Sequence, residues 1–80
     1  MAIGYIRWSE ENKPQLNTWY RCITRDDWYK ILKDGKDNYG NICYRVVSYR
    51  KGNNVFCGLT LKEARTVIRI ETYITTTYGG

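Results

Sequence analysis

Thr24-Arg25-Asp26-Asp27-Trp28-Tyr29-Lys30-Ile31-Leu32-Lys33-Asp34-Gly35 is the stretch on which the fold turns. Thr24 carries the side-chain oxygen of a helix N-cap. Asp27 follows three residues later, a shortened capping box that also suits the positive end of a helix. Trp28, Ile31 and Leu32 then recur at i, i+3 and i+4, the spacing of one helical face, and Gly35 supplies a stop. The spacing predicts a helix over residues 25–34.

The same pattern returns 36 residues further on, where Thr60 lies over Thr24, Glu63 over Asp27, and Val67-Ile68 over Ile31-Leu32. Both an ancestral duplication and two helices obeying one set of capping rules account for it. The second helix is expected from Leu61 for about three turns, with Ala64, Val67 and Ile68 inward. From Thr66 onward the chain is rich in β-branched residues and alternates, so a final strand is expected over residues 72–78. Residues 3–8 and 18–23 read as strands flanking a polar stretch that holds the one proline, Pro14. Residues 42–50 read as a long strand, and Lys51-Gly52-Asn53-Asn54 as a hairpin turn into residues 55–59, because Gly and Asn accept positive φ.

The resulting order, ββαββα(β), predicts an α+β fold: a small antiparallel or mixed sheet with two helices on one side. Residues 1–78 are expected to form a single domain and 79–80 a flexible tail. The core is expected to rest on Trp28, Ile31, Leu32, Ala64, Val67 and Ile68.

Size and composition narrow the function classes. Eighty residues make one domain, and a chain of that length buries only about 60% of its unfolded surface, too little for a deep catalytic cavity. Eight Tyr and three Trp stand against one Phe. Tyr suits half-exposed sites with an apolar body and a wet tip, although strands also enrich for it. The net charge of +5 favours anionic partners, while charge that merely keeps the surface solvated is the plainer account. No apolar run is long enough to span a membrane, and residues 1–7 do not read as a signal peptide. A cytoplasmic location is expected.

The three cysteines, Cys22, Cys43 and Cys57, have no zinc-type spacing and the chain contains no His. Reduced thiols and no metal are expected. Without His the usual general base is missing, and no glycine-rich phosphate loop or dinucleotide fingerprint is present. The acid pairs Glu10-Glu11 and Asp26-Asp27 sit in a polar loop and an expected first helical turn. The reading is therefore of a non-enzymatic binding protein that needs no cofactor.

Arginines interleave with rings on the expected strands, in Tyr5-Ile6-Arg7-Trp8, Trp19-Tyr20-Arg21 and Tyr44-Arg45-Val46-Val47-Ser48-Tyr49-Arg50-Lys51. Residues i and i+2 of a strand share a face, so Arg45, Val47 and Tyr49 point together, opposite Tyr44, Val46 and Ser48. The candidate contact residues are Arg7, Arg21, Arg45, Tyr49 and Arg50, with Lys51 at the edge. Lys30, Lys33, Lys62 and Arg65 read as ordinary solvated helix charges. Rings with cations suit single-stranded nucleic acid or RNA, bases stacking and phosphates pairing. The same alphabet suits a protein interface. The rival class is an inhibitor or adaptor of the phage or mobile-element type, blocking a host enzyme or a nucleic-acid-guided defence complex in anti-CRISPR fashion. Its target would be a protein with an acidic or nucleic-acid-binding groove. A homodimer is compatible with either.

The element order and the terminal Gly79-Gly80 together resemble the ubiquitin-like β-grasp fold, whose conjugated members end in Gly-Gly. That resemblance implies a modifier with a conjugation tail. The long basic strand over residues 42–50 and the second helix depart from the pattern.

Overall fold

The structure is a computed structural model that describes the backbone of residues 2–78 and the side chains of residues 4–74. It contains one helix, not two. The order is β1 (Ala2–Ile6), β2 (Tyr20–Arg21), β3 (Trp28–Lys36), β4 (Ile42–Ser48), β5 (Asn54–Leu59), α1 (Leu61–Glu71) and β6 (Ile74–Tyr78). Strands β2-β3-β4-β5 form a four-stranded antiparallel sheet, and β1 pairs antiparallel with β6. The expected ββαββα(β) arrangement with two helices on one side is therefore overturned. The β-grasp resemblance loses the element order on which it rested, and the tail at 79–80 lies outside the described residues.

The expected helix over residues 25–34 is overturned by β3. Residues 28–36 are a strand with a period of two: Tyr29 and Ile31 are buried, while Trp28, Lys30 and Leu32 point to the other face. A helix would have placed Trp28, Ile31 and Leu32 together and left the Tyr29 ring in water. The strand buries Tyr29 and Ile31, and its backbone bonds to β2 on one side and β4 on the other. Trp, Tyr and Ile also favour the pleated surface. Gly35 does adopt positive φ, at 79°, but beside a break in the β3–β4 register between Lys33 and Lys36 rather than past a helix end.

The second capping signal behaves as its sequence implies. Thr60 Oγ1 accepts from the Glu63 N–H at 3.1 Å, and the Thr60 N–H donates to Glu63 Oε1 at 2.9 Å. Two of the orphan donors at the start of α1 are thus satisfied reciprocally. Thr60→Ala is expected to cost about 1 kcal/mol in urea unfolding, the usual value of such a cap. An unchanged midpoint would show that the box adds nothing. The two halves of the 36-residue repeat fold differently, one as a strand and one as a helix.

Helix α1 lays Ala64 and Ile68, both fully buried, on the inner face of the sheet. There they meet Tyr20, Cys22, Tyr29, Ile31, Tyr44 and Val46, with Leu16, Leu61 and Val67 packed at the margin. Three of the tyrosines are thus core residues, while Trp28 and Leu32 are only half-buried and lie on the opposite face. Thr72 closes the helix: its N–H and Oγ1 both donate to the Ile68 carbonyl, and its Oγ1 accepts from Trp8 Nε1 at 3.1 Å. The Cys22–Thr72 bridge, with the Tyr73 N–H donating to the Arg21 carbonyl, joins the two sheets. No helix among the described residues is long and apolar enough to cross a membrane.

Candidate nucleic-acid interface

Covering one face of the four-stranded sheet with α1 leaves the other face open. Opposed residues of an antiparallel pair share a face. Arg21 lies opposite Trp28, Lys30 opposite Val47, and Leu32 opposite Arg45. All six are on the helix-free side. Tyr49 joins them, since its N–H continues the ladder to the Trp28 carbonyl at 3.0 Å.

The rings on this side form two contacting groups with a hollow between them. Tyr73 lies 6.3 Å from Tyr5, and Tyr5 packs edge-on against Trp28 at 6.2 Å between centroids. Trp28, Tyr49 and Arg50 line one hollow. Tyr49 then meets Trp19 at 5.2 Å with the planes 40° apart. Cations sit on the row: the Arg21 guanidinium is 5.7 Å from the Trp28 ring and the Lys30 ammonium 4.2 Å from the Trp19 ring, both within cation–π range. Tyr5, Trp19 and Tyr49 remain 44%, 36% and 59% exposed, so large ring surface faces water.

Trp19, Lys30, Leu32, Arg45, Val47 and Tyr49 also line a groove next to the row. The Arg45 side chain crosses its floor and donates from Nη1 to Asn54 Oδ1 at 3.3 Å. Its Nε–H is buried and meets no acceptor among the described residues.

The sequence-derived candidates are not all together. Arg45 and Tyr49 share the groove, and Arg21 and Arg50 flank Trp28. Both of those arginines pair with one acid, Asp26, at 2.9 and 2.7 Å, so their charge is partly met at home. These pairs are exposed and worth little to stability. Arg7 lies exposed just beyond β1, and Lys51 sits in the β4–β5 turn, lining a second hollow with Arg25 and Arg50. Tyr5 and Trp19 stand in the interleaved runs but outside the candidate contact residues, whereas Trp28 was expected in the core and Lys30 on a helix. Lys30 is no helix charge; it stands on β3 beneath a tryptophan. A period-two reading of residues 28–32 would have placed it beside Trp28 and Leu32.

Asp27 holds the backbone next to Tyr49, at Trp28 and Arg50. Its carboxylate is buried and accepts from Ser48 Oγ at 2.5 Å, from the Trp28 N–H at 2.7 Å and from the Arg50 N–H at 3.0 Å. Burial pushes its pKa up, but the bonds from Ser48, Arg50 and Trp28 and the Arg50 charge outweigh that and hold it below the ordinary carboxylate value. The three cysteines are free. Burial, and next the Asp27 charge, push the Cys22 thiol up to about 11, so it stays protonated at neutral pH.

Comparison with known proteins finds no matching family model, no matching curated protein and no matching solved structure.

Proposed function

We propose that the helix-free face binds single-stranded nucleic acid, with bases stacked on the Tyr5–Trp28 and Tyr49–Trp19 rings and phosphates held by Arg45, Lys30, Arg21 and Arg50. The observation that carries this reading is the groove that Trp19 and Tyr49, their rings in contact, line together with the cations Lys30 and Arg45. Stacking rings with a cationic track are what a strand with unpaired bases requires. On this reading the protein works by binding and not by catalysis, needs no cofactor, and operates in the cytoplasm, where its three free thiols stay reduced.

Fluorescence anisotropy with a short single-stranded oligonucleotide tests it. Tyr49→Ala should weaken binding by roughly 5- to 150-fold, the equivalent of about 1–3 kcal/mol for one stacked base. Neutralising Arg45 and Arg50 together should reduce the salt slope by about two phosphate contacts. Binding that survives both changes would place the contact elsewhere.

A second reading, a protein-binding inhibitor or adaptor, is favoured by the β3–β4 hairpin. Tyr39 stands at its tip 90% exposed, on a turn held by Asp37 Oδ1 accepting from the Tyr39 and Asn41 N–H groups. A fixed, projecting tyrosine is the kind of anchor that fills a partner's pocket. No affinity for any single strand at low salt would leave this reading in place of the first.

A further inference from the structure

Lys13, Lys62, Arg65 and Arg69 converge on the solvent side of α1, where with Leu61 and Thr66 they line a second groove. Positions 62, 65, 66 and 69 follow i, i+3, i+4 and i+7, so they form one stripe, while Ala64 and Ile68 face the sheet. Both ion pairs among the described residues go to Asp26, so none of the four cations is matched by a carboxylate. No acid and no aromatic ring lines the groove. Both arginines are braced by the loop that precedes β2: Arg65 Nε donates to the Pro14 carbonyl at 3.3 Å and Arg69 Nη2 to the Asn12 carbonyl at 2.8 Å. Each guanidinium keeps further N–H donors beyond that one bond.

We propose that this stripe is a second nucleic-acid site, built for the phosphate backbone of a duplex. From Lys62 to Arg69 the helix rises about 10 Å, which spans about three nucleotide steps of one strand. A duplex offers regular phosphates and hides the faces of its bases, and the stripe offers cations and no ring to stack on. A protein partner fits less well, since interface centres are depleted in Lys and gather aromatic rings, and this groove has two Lys and no ring. Leu61 is the one large apolar residue here. The stripe lies on the opposite side of the sheet from the ring row, so the inference does not rest on the single-strand reading.

The test is anisotropy of the full chain with a short blunt-ended duplex, beside the single-stranded probe. Lys13→Gln with Lys62→Gln removes two cations whose side chains brace nothing. At 0.1 M salt this double change should weaken duplex binding roughly 60-fold and lower the salt slope by about two. Arg69→Gln, checked for folding by circular dichroism, should act in the same direction. Tyr49→Ala should leave duplex binding unchanged. Absence of duplex binding by the parent at low salt overturns the proposal, as does a double variant that binds like the parent. Equal affinity for phosphatidylserine vesicles also overturns it, since the stripe would then read charge alone. A parent protein that binds the duplex but no single strand at low salt would overturn the ring-face function and leave this site standing.

Discussion

Tyr29→Ala is expected to lower the unfolding free energy by about 3–5 kcal/mol, the range for truncating a large ring inside a core. Tyr29 is 1% exposed and packs with Ile31, Val46, Ala64 and Ile68 beneath α1. Its hydroxyl is also engaged, accepting from Arg25 Nη1 at 2.9 Å. A domain of this size has only a few kcal/mol to lose, so the variant should be largely unfolded at 25 °C by circular dichroism. Leu32→Ala makes the contrast. Leu32 is half-buried on the helix-free face, so its loss should cost about 1 kcal/mol, well below the value for full burial. A helix over residues 25–34 demands the opposite ranking, with Leu32 the costly position and Tyr29 the cheap one. Urea titrations of the two variants therefore decide between the strand and the helix at residues 28–36.

Asp27→Ala is expected to cost about 3 kcal/mol, because it strands buried donors that a charged acceptor now serves. The Ser48 hydroxyl and the Trp28 and Arg50 N–H groups all lose their partner. Ser48 Oγ also accepts from the Lys51 N–H at 3.1 Å, so the whole β4–β5 turn should loosen. The change has a pH signature. The folded-state pKa of Asp27 lies below its unfolded value. Its stabilisation is thus present above the unfolded value and is lost as pH falls through the folded one, below about pH 4. Asp37 is lowered too, chiefly by the Asn41 N–H, and acts in the same direction. The difference between parent and variant isolates Asp27. That difference should be constant near neutrality and shrink on acidification. A parent and variant that lose stability in parallel down to pH 3 would show that Asp27 is not the group responsible.

The single-strand test gains from the same residue. Asp27 holds the Arg50 N–H, and Arg50 and Tyr49 line the hollow beside Trp28. Loosening that turn should blur the site without touching a contact atom. The effect of Asp27→Ala on binding would then track its effect on stability, unlike Tyr49→Ala, which leaves the core alone.

How much was legible follows from how local each signal was. The Thr60–Glu63 box and the spacing of Ala64 and Ile68 determined α1, because a capping box and a helical face are complete within a dozen residues. Gly52 at positive φ marked the β4–β5 turn, and alternation along β4 put Arg45, Val47 and Tyr49 on one side. Residues 24–35 carried two patterns at once. Trp28, Ile31 and Leu32 satisfy a helical face, and Tyr29 and Ile31 satisfy a strand. Thr24 and Asp27 satisfy a cap, yet Asp27 bonds across the chain to Ser48 and Arg50. Only tertiary structure breaks such a tie, since the ladder to β2 and β4 and the burial of Tyr29 against α1 depend on residues far away in sequence. The same holds for the site. Arg45 and Tyr49 were readable from their own strand. Trp19 over Lys30, and Arg21 over Trp28, exist only because β2 pairs with β3, and a contact made by pairing is invisible until the pair is known.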